Sequence, residues 1–330
     1  MSNSLKTIVI GTSLTGASDG VVRTGMALAG TTGASLWLVH AYTPLFGAAG
    51  AGMDAVWMEQ QIETLQGLMS SQVQRTGLTA LPGFSPAQAR LVLGAPHREI
   101  VELAQRVQAD LVIVGATESV HGLLGSTAER VIRKAPCPVL AVRSETAFPP
   151  ARVEIPVDLS PVSADALRQG LHFLAQIGAP LDGMEALFVL NPLEVAGSLQ
   201  FTSAQIERFA GEELHRFLAD NLADQGAGGA SPIKARVRSG FPREEILATL
   251  EERQADLAIL GTHGRSGFER LMIGSIAAGV LRAAKCNLLV VPPPAERRHD
   301  TATVRREAQT AGDWSYVSDE SPATAGPSKA

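Results

Sequence analysis

The chain writes one plan twice. Asp110-Leu111-Val112-Ile113-Val114-Gly115 returns 146 residues later as Asp256-Leu257-Ala258-Ile259-Leu260-Gly261. Gly94-Ala95-Pro96-His97-Arg98-Glu99-Ile100 returns at the same spacing as Gly240-Phe241-Pro242-Arg243-Glu244-Glu245-Ile246. Further on the spacing grows to 149: Gly125-Ser126 answers to Gly274-Ser275 and Cys137 to Cys286, so the first copy is three residues shorter in between. A period this long marks a duplicated domain rather than a solenoid repeat. The fold must therefore be one that about half the chain can build.

Within each copy, short apolar runs alternate with helical patterns. In the first copy the runs Thr7–Ile10, Ser35–His40, Ala89–Leu93, Leu111–Val114 and Val139–Val142 read as strands. Helices are expected from about Ser18 to Gly30, Ala55 to Arg75, Arg98 to Gln108 and Ser126 to Lys134. The second copy repeats the order with strands at Val153–Val157, Ala186–Leu190, Ile233–Arg238, Leu257–Leu260 and Leu288–Val291. Strand–helix alternation implies parallel strands with right-handed crossovers. The predicted fold class is α/β, two tandem open doubly wound five-stranded sheets of the Rossmann-like sandwich type. Expected boundaries are a domain over 1–147, a second over 148–294 entered through Phe148-Pro149-Pro150, and a disordered polar tail over 295–330.

Composition narrows the function. Hydrophobic residues at 45% let each copy bury a core, and the Ala/Val/Leu/Ile character suits sheets covered on both faces. A net charge of -5 without a basic stripe argues against a nucleic-acid binder. The absence of a run of 18 apolar residues argues against a membrane span. Two cysteines imply no disulfide framework, and the first residues lack a signal-peptide pattern, so a cytoplasmic location is expected.

The chemistry concentrates in Gly261-Thr262-His263-Gly264, nine further residues, then Gly274-Ser275. A strand, a glycine loop and a helix start are the parts of a phosphate cradle, because glycine lets backbone approach an anion and helix-terminal N–H groups favour negative charge. The spacing is not that of the Walker loop. Gly-x2-Gly-x9-Gly-Ser, the strand order, the Gly-x-Pro segment before the third crossover helix and the closing Cys-led strand together resemble the universal stress protein family in tandem form, over about residues 5–293.

That resemblance implies ATP as the bound cofactor, with Mg2+ as its companion. It places Pro156, Val157 and Asp158 after the first strand of the second copy, with Asp158 against the nucleoside. Val189 falls at an adenine-facing position, Gly261, His263 and Gly264 at the loop entrance, and Gly274, Ser275 and Ile276 at the phosphate-binding helix start. Each has a plainer alternative: Asp158 as part of a helix start capped by Ser160, Val189 as core, Ser275 as a helix cap, His263 as an exposed loop residue. The resemblance also implies that Val139–Val142 and Leu288–Val291 pair as an intramolecular pseudo-dimer, with a homodimer as a further option.

The first copy departs from the pattern. At the 146 spacing Thr12 stands where Asp158 does, and Glu118 replaces the second glycine, a carboxylate where phosphate would lie. Weak or absent nucleotide binding is expected there. No Cys/His metal spacing is present. Thr15-Gly16-Ala17-Ser18-Asp19-Gly20 is only distantly similar to an ATP-pyrophosphatase loop. The sequence thus reads as a nucleotide-binding stress-response module. A slow ATP-hydrolysing or adenylate-transferring enzyme and a nucleotide-free interaction protein are the alternatives.

Overall fold

The structure is a computed structural model that describes residues 5–43, 55–116, 126–143, 148–195, 202–222, 233–262 and 273–293. The expected tail over 295–330, His263, Gly264 and Glu118 lie outside the described residues. The strands are β1 (Thr7–Gly11), β2 (Ser35–Tyr42), β3 (Ala89–Leu93), β4 (Leu111–Gly115), β5 (Val139–Val142), β6 (Val153–Val157), β7 (Met184–Leu190), β8 (Lys234–Ser239), β9 (Leu257–Gly261) and β10 (Asn287–Val291). The helices are α1 (Asp19–Thr32), α2 (Ala55–Thr76), α3 (Pro96–Arg106), α4 (Ser126–Lys134), α5 (Pro161–Gln176), α6 (Pro192–Val195), α7 (Ser203–Leu222), α8 (Pro242–Glu252) and α9 (Ser275–Ala283).

Local chemistry sets the helix ends. Pro96, Pro161 and Pro242 each open a helix, where a missing N–H costs nothing. Ser160 caps α5 by accepting from the Ser163 N–H at 3.2 Å. α1 stops at Gly33, which takes the left-handed conformation (φ +73°) and donates its N–H to Ala29 O at 2.8 Å.

The strands run in the order β3-β2-β1-β4-β5-β10-β9-β6-β7-β8, one ten-stranded sheet. Each half is parallel within itself. The two expected five-stranded sheets are joined by one antiparallel pair, β5 with β10, in the register Val139↔Val290, Leu140↔Leu289 and Ala141↔Leu288. Both strands are buried throughout, so neither could remain an open edge cheaply. Asn287 strengthens the seam by accepting the Arg143 N–H at 2.8 Å, and the Arg143 guanidinium donates to Leu281 O at the end of α9.

Alternation along the strands divides the core between two faces. Ile8, Ile10, Ile155 and Leu257 pack with α1, α2, α5 and α7 on one side. Val9, Val112, Ala258 and Leu260 pack with α3, α4, α8 and α9 on the other. Among the described residues no helix is long and apolar enough to cross a membrane.

Sheet register corrects one alignment made from the sequence. Ile8 lies opposite Leu111, and Val153 lies opposite Leu257. Asp110 accepts the N–H groups of Lys6 and Thr7, as Asp256 accepts those of Ala151 and Arg152. Leu14 and Leu159 share the same left-handed backbone, φ +63° and +61°. The first strands therefore match at a spacing of 145, and the counterpart of Asp158 is Ser13 rather than Thr12. Sequence identity could not fix this register, because β1 and β6 share little beyond apolar character.

Candidate functional site

Open doubly wound sheets bind ligands outside the carboxyl ends of their strands, where strand order reverses. In the second half that point lies between β6 and β9. The β6–β7 ladder runs the full length of β6 to Val157, but the β6–β9 ladder covers only Val153 and Glu154. In the first half the corresponding β1–β4 ladder continues from Ile8 to Gly11. Pro156 supplies a reason: it has no N–H to give a ladder. β6 and β9 thus lose their pairing toward the end where a ligand would enter.

Asp158 follows directly and is half-buried. Its Oδ1 accepts the Ser160 N–H at 3.1 Å, so one oxygen helps shape the turn into α5. Pro156 and Val189 lie on the α8–α9 side of the sheet by strand alternation, whereas Val157 is buried toward α5. Val157 therefore does not share a face with Val189. Val189 sits in register with Arg238, which is held against α8 by Glu245 at 2.7 Å and Glu252 at 2.6 Å.

Gly261 ends β9 beside Val291. The chain is tied down on both sides of the loop that follows: Thr262 donates its N–H to Val291 O at 3.2 Å, and Gly274 donates to Thr262 O at 2.8 Å. The start of α9 is thus fixed at the end of β9. Gly274 is its N-cap residue and, having no side chain, gives the first N–H groups of the helix no side-chain cap of its own. Ser275 and Ile276 are exposed, Ile276 by 43%.

Charge separates the two halves. Neither α5 nor α9 carries an acidic residue in its first turn. In the first half, α1 carries Asp19 and α4 carries Glu129 in that position. Asp19 is 8% exposed and forms a two-pronged ion pair with Arg75 of α2, at 3.0 and 3.1 Å, which holds its carboxyl below the usual range. Since the positive end of a helix favours one negative group, α1 and α4 of the first half already supply their own, while α9 leaves its start for another.

Sequence reasoning missed two features. In the first half, a cavity of about 260 Å³ lies at the carboxyl ends of β1, β2 and β4. It is lined by residues too ordinary, among them Val39, His40 and Ile100, to form a motif. In the second half, two fully buried carboxylates, Glu154 and Glu185, face each other in register on β6 and β7, with Arg253 and Arg236 as partners. Burial pushes the Glu154 carboxyl up to about 7 despite its contact with Arg253.

The geometry can be set beside known proteins. A universal stress protein of Mycobacterium tuberculosis is 28% identical over 211 residues, covering 62% of this chain and 68% of that one. A universal stress protein of Methanocaldococcus jannaschii is 29% identical over 147 residues, 43% of this chain and 82% of its own. Among solved structures, a universal stress protein of Archaeoglobus fulgidus matches with a TM-score of 0.61 at 17% identity, covering 88% of this chain and 99% of that chain, a likeness of fold. The model of the universal stress protein family matches twice, over residues 4–143 and 151–292. With both halves of the sheet accounted for by those two matches, the chain belongs to the universal stress protein family and carries its domain in tandem.

Proposed function

We propose that the second half holds an adenine nucleotide, ATP, at the carboxyl ends of β6, β7 and β9, and that the chain acts as a nucleotide-dependent binding module in a stress response. One observation carries the reading. The start of α9, with glycine at its N-cap, fixed to the end of β9 through Gly274 and free of first-turn acids, follows the strand whose ladder to β6 stops at Glu154. Such a helix start suits phosphate, through free N–H groups and its positive dipole end. The glycines Gly261, Gly264 and Gly274 let backbone come close, and Asp158, at the end of β6, faces the nucleoside. Mg2+ would enter on the nucleotide's phosphates, which commonly supply much of its coordination. The seam of β5 with β10 serves as the intramolecular pseudo-dimer contact.

The test is equilibrium dialysis of the full chain with ATP, beside Gly264→Glu, which copies the carboxylate of the first half. About one ATP per chain, lost in the variant, supports the reading, with affinity expressed as a Kd. No ATP bound at millimolar concentration, or binding unchanged in Gly264→Glu, overturns it.

A further inference from the structure

We propose that a cavity between the two halves, at the amino ends of β1, β4 and β5, binds a small uncharged molecule with an apolar body and a carbonyl or amide edge. It occupies about 900 Å³, within the range of roughly 300–1,000 Å³ usual for ligand pockets, which lie preferentially at domain interfaces. The starts of the three first-half strands form one wall, and the last two turns of α5 from the second half form the other. Leu5 ties the walls together by donating its N–H to Gln176 Oε1 at 2.7 Å.

Four residues that line the cavity are neutral where the second copy is charged. Thr7 stands for Arg152, Gln105 for Glu251, Val107 for Arg253 and Pro136 for Lys285, at the spacings of 145, 146, 146 and 149 that relate their segments. In the second copy those charges are paired. Lys285 meets Glu251 at 2.8 Å, from the approach to β10 to the end of α8, Arg152 meets Asp256 at 3.2 Å, and Arg253 meets the buried Glu154. The first copy keeps the aspartate, as Asp110, and the cysteine, as Cys137, but has the residues for none of these three pairs.

What replaces them defines the ligand. Val107, Pro136, Cys137, Pro138 and Phe173 supply apolar surface, of which Cys137 and Phe173 are buried. The side-chain amides of Gln105, Gln108 and Gln169 have no protein partner among the described residues. An amide both donates and accepts, so a carbonyl or amide edge on the ligand finds a partner whichever way each glutamine turns. The charges present cancel: Lys6 and Asp110 are opposite in sign, and Asp110 Oδ2 already accepts the Lys6 and Thr7 N–H groups at 2.8 and 2.9 Å. His172 adds none. Gln176 Oε1 is held by the Leu5 N–H, so Gln176 Nε2 donates to His172 Nε2, which must then be the bare nitrogen of a neutral ring. A charged ligand would leave water without a counter-charge to meet it, a cost that an uncharged one does not incur.

The experiment uses the full chain and Nile red, an uncharged planar ketone whose fluorescence rises and shifts to the blue in apolar surroundings. Saturable binding of one Nile red per chain is expected, with ATP at about 1 mM leaving it in place. Two variants close the cavity from opposite walls. Gln105→Glu with Pro136→Lys installs the ion pair of the second copy, and Gln169→Trp puts an indole on α5 in place of the amide. Each should weaken Nile red binding at least tenfold while urea denaturation follows that of wild type. The cationic analogue Nile blue should bind at least tenfold more weakly than Nile red. The proposal is overturned if Nile red shows no saturable binding, if ATP displaces it, or if either variant, folded by that measure, binds it as wild type does. Nile blue binding as tightly as Nile red overturns it as well. Should the double variant fail to fold, Gln169→Trp alone decides.

Discussion

Replacing Glu154 by Gln isolates a buried charge and yields a number. Glu154 is fully buried on β6, opposite Glu185 on β7, and Arg253 is its partner. One of its oxygens, Oε1, has no hydrogen-bond partner. Its carboxyl is raised by burial from 4.5 to about 7. The sign follows from proton counting: between these values the folded chain holds a proton that the unfolded chain has released, so stability falls as pH rises through this window. A shift of this size corresponds to about 3 kcal/mol in total, of which about 2 kcal/mol falls between pH 5 and 7.5. The amide of Gln cannot ionise. Urea denaturation of wild type and Glu154→Gln at pH 5, 6, 7 and 7.5 should therefore show the variant gaining on wild type by about 2 kcal/mol across the series. A difference between the two proteins that stays flat with pH would show that Glu154 is ionised throughout, with Arg253 fully offsetting its burial, and would sink the reasoning.

Other expectations follow from single contacts. Leu289→Ala at the β5–β10 seam, where the side chain is fully buried, should cost about 2–5 kcal/mol by denaturation. Gln72→Ala strands the Ser18 hydroxyl and the Asp19 carboxylate that its amide now serves, and should lower stability by about 1–3 kcal/mol. Gly183→Ala would place a Cβ only 1.7 Å from Ala151 O, a backbone atom that cannot yield, so the variant should lose about 1–3 kcal/mol or fail to accumulate folded. Asp158→Ala should weaken ATP binding by dialysis while Ser13→Ala leaves it unchanged, since only the first has the carboxylate.

Most of the architecture was legible because it rests on periodicity. β3, β5, β6 and α4 fall where their apolar patterns place them, and the repeat announces that both halves share a plan. Helix ends were legible where proline or glycine punctuates them, as at Pro161 and Gly33. The register between copies was not legible at β1 and β6, because uniformly apolar strands offer no landmark. It emerged only from the two aspartate clamps and the paired left-handed leucines. The candidate site was partly legible. Glycine spacing pointed to the start of α9, but Val157 turns to the opposite face from Val189, which a list of residues after strands cannot reveal. The first-half cavity was invisible for a different reason: its walls come from five separate segments, and each segment looks like core.

The seam has a consequence for how the chain is made. β10 is the final strand of the sheet in chain order, yet it lies at the centre of the sheet, between β5 and β9. During synthesis β5 emerges about one domain earlier and must wait with a bare apolar edge until β10 leaves the ribosome. Domains generally fold as they are made, at roughly 5–20 residues per second, so that wait lasts on the order of ten seconds. For that interval the first half resembles a half-finished sheet, able to pair with the β5 of a neighbouring nascent chain. The order of synthesis thus sets a race between closing the sheet within one molecule and joining two, decided by how soon β10 arrives.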